Sequence, residues 1–205
     1  MGQLVQRPLN KERNRENNME RLTRKTYAEM SPTQQTAFDK IAEGRSGVSD
    51  GRIGGPFDIW MLNPELAETI DTLGKQFRFN LSMDRRYIEI AILVTGAYWT
   101  SQYEWFAHEK MATDTGVPAD IIQSIKTGER PDFSDARDAA VHDLAYELHR
   151  IHHIDDATYQ RAVDAFGEHG VAELINLCGF YTMVSMSLNT FKIGVPDGEK
   201  LPFDA

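Results

Sequence analysis

Apolar side chains recur every three or four residues along most of the chain, and no run shows the sustained alternation of a β-strand. Because this period matches the turn of an α-helix, the pattern predicts an all-α protein. Capping residues and prolines mark the predicted helix starts, and glycines mark several of the ends. The predicted helices cover about 31–44, 63–79, 83–97, 101–115, 118–127, 134–151, 155–166 and 170–191.

A glycine-rich segment separates the first two predicted helices. Residues 44–56 hold five glycines in thirteen positions, which predicts a loop. The segment lacks the Gly-Lys-Ser/Thr sequence of a phosphate-binding loop, and no predicted strand precedes it. We therefore expect a connector that covers a pocket.

The beginning of the chain differs in composition from the rest. Residues 1–30 are polar and dense in charge, which predicts an arm that is mobile or wrapped around a partner and lies outside the core. Residues 31–205 are numerous enough for a single well-buried helical domain.

The composition indicates which kinds of partner and which cellular compartment are expected for the protein. The chain has 22 basic and 31 acidic residues, and the resulting charge of −9 argues against a nucleic-acid partner, which needs a basic surface. Cys178 is the single cysteine, so no internal disulfide is possible and a reducing compartment is favoured. No apolar run reaches the roughly 18 residues that suggest a membrane span, and the first residues lack the apolar core of a signal peptide. We expect a cytoplasmic protein without a membrane partner.

Three ionisable residues stand where apolar side chains are expected. Glu89 lies within 88–94, a run that is apolar around its whole circumference and is typical of a core helix. Glu104 and His108 are four residues apart, on the helix face that also carries small and apolar residues. Because an unpaired carboxylate in a dry core is costly, such groups are usually paired, shifted in pKa or functional. The pattern favours an acid–base site.

These residues can form one site only if the chain changes direction between them. Nineteen residues separate Glu89 from His108, which is about 28 Å along a straight helix. A turn near 96–100, where Gly96 permits a bend, would bring the two side chains together. We therefore predict a helix break at this point.

Other interpretations of the same residues remain open at this point. Glu89 could form a structural ion pair with Arg85 or Arg86. Glu104 and His108 could form a surface pair that contributes little to stability. Carboxylates and histidine can also bind a metal in helical bundles, but such sites take matching ligand pairs from two or more helices. No second Glu/His pair stands out, so we expect no metal.

Two further groups of side chains carry weaker signals. Trp99 and Phe106 stand on the polar side of the helical pattern that carries Glu104 and His108, which suggests a subunit interface. Four histidines cluster near the end of a charged helix, where positive charge suits the helix dipole. They are expected to be solvated, and they are His142, His149, His152 and His153.

Residues 86–93 and 103–112, followed by Gly116, resemble the carboxymuconolactone decarboxylase family, which includes the alkyl hydroperoxidase D group. The similarity extends from Gly55 through Phe191, about two thirds of the chain. The family fold is a helical bundle whose subunits assemble into trimers or hexamers, with sites close to subunit contacts. The resemblance therefore implies an alkyl hydroperoxidase D-like bundle that forms a homo-oligomer.

In the hydroperoxidase branch of that family, a Cys-x-x-Cys pair precedes the histidine. The two cysteine positions correspond here to Ser101 and Glu104, and the residue before the second, often His in that branch, is Tyr103. Peroxide reduction by this route needs a thiolate and a resolving thiol. The resemblance therefore points to the thiol-free branch, whose named member decarboxylates a carboxylated lactone without a cofactor.

A lyase of that class needs a proton donor for the developing dienolate carbon and cations or hydrogen-bond donors for the anionic oxygens. We predict His108 as the general acid/base, Glu104 as its partner, and Glu89 as the group that orients or polarises the pair. The predicted substrate-binding residues are Arg52, Arg85, Arg86, Tyr103, Trp60 and Ser101.

Two other functions fit the same resemblance. One is a peroxiredoxin-like, thiol-dependent antioxidant, which the missing cysteine pair disfavours. The other is a non-catalytic oligomeric binding protein that keeps the family fold.

Overall fold

The computed structural model describes residues 20–204, and within them the secondary structure is helical. A short 3-10 turn at Tyr27–Glu29 precedes the helices, and the only strand-like feature of the described residues is an isolated bridge between Ser49 and Arg52. The all-α prediction is therefore confirmed. The helices are α1 (Pro32–Ala42), α2 (Pro56–Trp60), α3 (Pro64–Phe79), α4 (Arg85–Tyr98), α5 (Gln102–Asp114), α6 (Ala119–Thr127), α7 (Ala136–Ile151) and α8 (Asp156–Phe191).

Side-chain caps fix several helix starts where the sequence predicted them. The Ser31 hydroxyl accepts a hydrogen bond from the Gln34 amide, and a proline occupies the first position of α1. Asp155 caps α8 by accepting from the amide of Thr158. These contacts satisfy amide groups that have no partner inside the helix, so they set its first residue.

Helix α4 is the centre of the molecule. It packs against α5, α6, α7 and α8, and every residue from Ile88 to Gly96 is buried. A helix surrounded in this way needs apolar side chains on all faces, which explains the unbroken apolar run in the sequence. Glu89 is the charged exception within it, with no exposed surface.

The sequence predicted two helices, at 155–166 and 170–191, and the structure confirms the separation, because α8 consists of two helical segments that meet at a kink. Gly167, between the two predicted segments, has φ 66° and ψ 170°, outside the helical region. By length and composition α8 could cross a membrane, but 50% of its most apolar 18-residue stretch is buried inside the protein. It packs against α4 and α7, as a core helix does.

Part of the predicted N-terminal arm lies on the helical domain. The Arg21 amide donates to the Phe191 carbonyl at 2.9 Å, and the Tyr27 hydroxyl donates to Asp39 at 2.9 Å. Met30 is buried in the core. Residues 20–30 therefore contact the domain, whereas the rest of the predicted arm, 1–19, lies outside the described residues.

Candidate acid–base site

The chain reverses direction between α4 and α5, at the place where the sequence predicted a break. Thr100 adopts φ 45°, in the left-handed region, and the Ser101 amide donates to the Gly96 carbonyl at 2.9 Å. A β-branched residue rarely takes this conformation, so the turn is imposed by the packing of the two helices. As a result α5 folds back along α4.

The reversal brings Glu89, Glu104 and His108 together. Nδ1 of His108 lies 2.7 Å from Oε2 of Glu89, and Nε2 lies 3.0 Å from Oε1 of Glu104. Arg85, one turn before Glu89 on α4, places Nη2 at 2.5 Å from the Glu89 Oε1 atom. The result is a row of alternating charges in the order Arg85, Glu89, His108, Glu104.

The surroundings of His108 favour the protonated form of its ring. Burial disfavours the imidazolium and lowers its pKa, but the Glu104 carboxylate and then Glu89 oppose this, and together they raise the pKa to about 9. Both ring nitrogens face carboxylate oxygens, so neither offers a free lone pair to a metal ion. In the part of the chain that the structure describes, no group of three or more potential metal ligands is found.

Glu104 has His108 as its one charged partner among the described residues, whereas Glu89 has both His108 and Arg85. The Oε1 atoms of both glutamates are sealed from solvent and lack a well-aligned hydrogen bond within the described residues, although each has a cationic nitrogen within 3.0 Å. The Tyr181 and His108 rings pack nearly perpendicular to each other, with the ring centroids 5.1 Å apart. Burial, and then the two carboxylates, raise the pKa of the Tyr181 phenol, which therefore stays neutral.

A cavity of about 370 Å³ opens onto Glu104 and His108. This volume lies near the lower end of the range of small-molecule sites, roughly 300–1,000 Å³. Its other walls are mainly apolar, with five aromatic rings and two arginines. They include Phe57, Trp60, Tyr103, Phe180, Tyr181, Arg45 and Arg78.

The glycine-rich segment forms part of this wall, as the sequence suggested for a connector that covers a pocket. Ile53 and Gly54 line the cavity, and Gly55 packs directly on the Tyr103 ring. A Cβ atom at Gly55 would lie 2.5 Å from Cε1 of Tyr103, and the residue has φ 57°. Glycine is therefore required there both for the close approach and for the backbone conformation.

The structure places the other predicted substrate-binding residues in different surroundings. Tyr103 and Trp60 line the cavity. Arg85 is close to the site but contacts Glu89 and the Arg78 carbonyl instead of lining the cavity. Ser101 is buried at the residue before α5, and its hydroxyl has no hydrogen-bond partner among the described residues.

The remaining two predicted arginines lie outside the cavity lining. Arg86 forms a bidentate pair with Asp138 and donates to the Gly116 carbonyl. Arg52 is half exposed, and its Nε atom lies 3.9 Å from Asp58. Neither side chain is placed to bind a molecule in the cavity.

Two arginines that the sequence did not single out do line the cavity. Arg78 has no carboxylate within ion-pair distance in the described chain, and burial lowers its pKa. Arg45 pairs with Asp71 and lies over the Phe57 ring at 4.1 Å. Arg78 falls four residues after Gly74 on α3 and so shares its face, but the sequence does not mark that face as the wall of a cavity.

The single cysteine is remote from this chemistry. Cys178 lies in α8, is buried and is absent from the cavity lining. Burial raises the pKa of its thiol to about 12, so the reactive thiolate is not formed near neutral pH.

The prediction that the four clustered histidines are solvated is wrong for two of them. His142 is 2% exposed and His149 is 7% exposed, because both turn toward the interior from α7. Trp99 and Phe106, predicted to be exposed aromatics, are half-buried within this single chain.

No protein-family model matches this sequence, and no curated protein matches it. Several solved structures, in contrast, are similar to this chain. An uncharacterized peroxidase-related protein from Silicibacter sp. TM1040 matches with a TM-score of 0.69 at 15% identity, over 85% of this chain and 90% of that chain. An alkylhydroperoxidase AhpD core, an uncharacterized peroxidase-related protein from Ralstonia eutropha JMP134, matches with a TM-score of 0.69 at 12% identity. The match covers 87% of this chain and 93% of that chain.

A third similar structure is the debrominase Bmp8, a Cys-to-Ala variant in complex with 2,3,4-tribromopyrrole. It matches with a TM-score of 0.63 at 12% identity, over 81% of this chain and 87% of that chain. At such identities the likeness concerns the fold. The chain therefore has an all-α fold similar to that of the alkylhydroperoxidase AhpD core.

Proposed function

We propose that this protein is a cofactor-independent acid–base enzyme that acts on a small carboxylated or lactone-type metabolite. One observation carries the proposal: a buried imidazolium lies between two carboxylates on the wall of a cavity that also presents an arginine. A proton source and an anion-binding cation are the two elements that decarboxylation of such a compound requires.

In the proposed reaction, Arg78 binds the anionic oxygens of the substrate. Its lack of an acidic partner in the described chain leaves its charge available for this contact. When the bond between the substrate and its carboxylate group breaks, carbon dioxide leaves and the electron pair remains on the substrate, which becomes a dienolate. A carbon atom of the dienolate then takes a proton from the active site.

The proton comes from the His108 imidazolium. Glu104 lies 3.0 Å from Nε2 and lines the same cavity, so it is placed to carry the proton between the ring and the substrate. The neutral imidazole is afterwards reprotonated from water, which restores the starting state. Glu89 and Arg85 contact the far side of the ring, where they hold its orientation.

A thiol peroxidase mechanism has less support, although two of the similar structures are described as peroxidase-related. The chain has one cysteine, its thiol is buried with a raised pKa, and no second thiol is available to resolve an oxidised intermediate. Peroxide consumption that is present in the natural protein and lost in Cys178→Ser would contradict this reasoning.

The proposal is tested by incubating the protein in D₂O with a panel of small carboxylated lactones. Proton NMR then follows loss of the carboxylate and incorporation of deuterium at the adjacent carbon. Glu104→Gln and His108→Gln should each slow turnover by about 100-fold or more, the usual contribution of general acid–base catalysis. The matched control is His169→Gln, an exposed histidine outside the cavity lining.

Unchanged turnover in both variants would remove these residues from the mechanism. Binding of panel compounds to Arg78 without any turnover would favour the alternative of a non-catalytic binding protein with this fold.

A further inference from the structure

A second cavity, of about 310 Å³, lies where α4, α6 and α7 meet. It shares no lining residue with the cavity at His108, so it is a separate site. The acid–base chemistry proposed above uses none of its residues.

Four rings in two stacked pairs line this second cavity. The rings of Tyr98 and His149 are nearly parallel, with centroids 5.1 Å apart, and those of His142 and Tyr146 are 5.7 Å apart. Both tyrosines remain partly exposed, Tyr98 by 42% and Tyr146 by 36%, although each carries a large apolar ring. Partly exposed aromatic rings beside a cavity are suited to contact with a planar molecule.

His149 contributes a hydrogen-bond acceptor to this cavity. The Thr95 hydroxyl contacts the Ala91 carbonyl at 2.8 Å and Nε2 of His149 at 2.9 Å. The tautomer with its proton on Nε2 satisfies both contacts, because the ring then donates to Thr95 and the hydroxyl donates to Ala91. Burial, and then His152, lower the pKa of His149 to about 4, which keeps the ring neutral near pH 7. A neutral ring with its proton on Nε2 has a free lone pair on Nδ1.

Two cations stand at the same cavity. Arg150 is exposed, lies over the Tyr146 ring at 5.3 Å, and has no carboxylate within ion-pair distance among the described residues. Lys126 has its nearest acidic partner, Glu109, at 3.8 Å. Although Glu129 also lines the cavity, positive charge outweighs negative, because two cations face one carboxylate.

We propose that this second cavity binds a small planar aromatic acid that also carries a hydrogen-bond donor, such as a hydroxyl or amino group. The ligand ring stacks on Tyr98 and Tyr146, and its carboxylate pairs with Arg150 and Lys126. Its donor group binds the Nδ1 atom of His149. The volume of about 310 Å³ admits one ring with its substituents.

The test uses isothermal titration of the full chain with 4-hydroxybenzoate, benzoate and cyclohexanecarboxylate. We expect 4-hydroxybenzoate to bind most tightly, since it alone has both the ring and the donor. Arg150→Gln and Tyr98→Leu should each weaken its binding about 10-fold, and both sites are exposed enough to tolerate the change. His149→Phe should remove the preference for 4-hydroxybenzoate over benzoate.

Two variants serve as controls. Arg137→Gln changes an exposed arginine of the same helix that does not line the cavity, and it should leave the affinity unchanged. Arg78→Gln alters the other cavity and should also have no effect.

Three results would overturn the proposal. The first is no binding of 4-hydroxybenzoate at millimolar concentration. The second is binding that depends on Arg78 and not on Arg150 or Tyr98, which would place the ligand at the His108 cavity. The third is a Tyr98→Leu protein whose molecular mass in solution changes while its affinity for the acid does not, which would make this face a contact between copies of the chain.

Discussion

At the scale of single residues, charge compensation explains how ionisable groups persist in an apolar core. Arg85, Glu89, His108 and Glu104 carry two positive and two negative charges in alternating order, so the row is neutral overall. An isolated buried charge would be strongly destabilising, whereas a paired and hydrogen-bonded row avoids most of that cost. Removal of one member leaves the others uncompensated.

The raised pKa of His108 predicts how stability depends on pH. The pKa of His108 in the folded protein, about 9, exceeds the ordinary value of about 6.5. The stabilisation by the imidazolium is therefore complete below about pH 6.5, declines as the pH rises, and is lost above about pH 9. Its size is on the order of 3 kcal/mol.

This prediction is checked by urea unfolding of the natural protein and of His108→Gln between about pH 6 and about pH 10. The difference in free energy of unfolding between the two proteins should shrink as the pH rises. A difference that stays constant over this range would show that the imidazole is not held in its charged form.

Some functional residues could be predicted from the sequence and others could not. Glu89, Glu104 and His108 stand out because their polarity conflicts with their apolar neighbours along the chain. Arg78 and Arg45 do not, because an arginine near a helix end is unremarkable until the packing of other segments encloses it. The direction of a side chain toward a cavity is a tertiary property.

At the scale of helices, the two decisive features are breaks. The turn at Thr100 creates the site, and its position could be predicted because Gly96 and two successive helix patterns flank it. The conformation of Thr100 itself could not, since threonine disfavours the left-handed region and carries no local signal for it.

The break at Gly167 leads to a second prediction. Its φ of 66° and ψ of 170° lie in a region that is essentially restricted to glycine, so Gly167→Ala should destabilise the protein by about 1–3 kcal/mol even though no atom would clash with the added Cβ. Gly179 is the matched control in the same helix, because it is exposed and helical with open space around it. Gly179→Ala should stabilise by about 0.5–1 kcal/mol.

Urea or thermal unfolding of the two variants measures both effects. Equal effects of the same sign at the two glycines would mean that α8 has no conformational break at Gly167.

At the scale of the whole molecule, Asp58 links the N-terminal segment to the cavity. One of its carboxylate oxygens accepts from the amides of Ile53 and Gly54 at 2.8 Å each, and the other pairs with Arg24. Ile53 and Gly54 line the cavity. Residues far apart in the sequence therefore hold the glycine-rich segment against the site, an arrangement that a sequence pattern does not reveal.

Loss of this link should loosen the cavity wall. In Arg24→Gln, the buried Asp58 carboxylate loses its main cationic partner, so the amides of Ile53 and Gly54 should exchange with deuterium about 10-fold faster. Lys40→Gln, which breaks an exposed ion pair with Glu68, is the control and should leave these amides unchanged. Equal protection in all three proteins would contradict the role given to Arg24.

The charge state of His108 is tested most directly by an NMR pH titration of its ring nitrogens in the ¹⁵N-labelled protein. The predicted midpoint is about 9, and it should move to lower pH in Glu104→Gln, which removes the largest contribution that raises the pKa of His108. His149, whose pKa burial lowers to about 4, provides an internal control that the substitution should not move. A midpoint for His108 at or below about 6.5, unchanged by Glu104→Gln, would contradict the proposed acid–base centre.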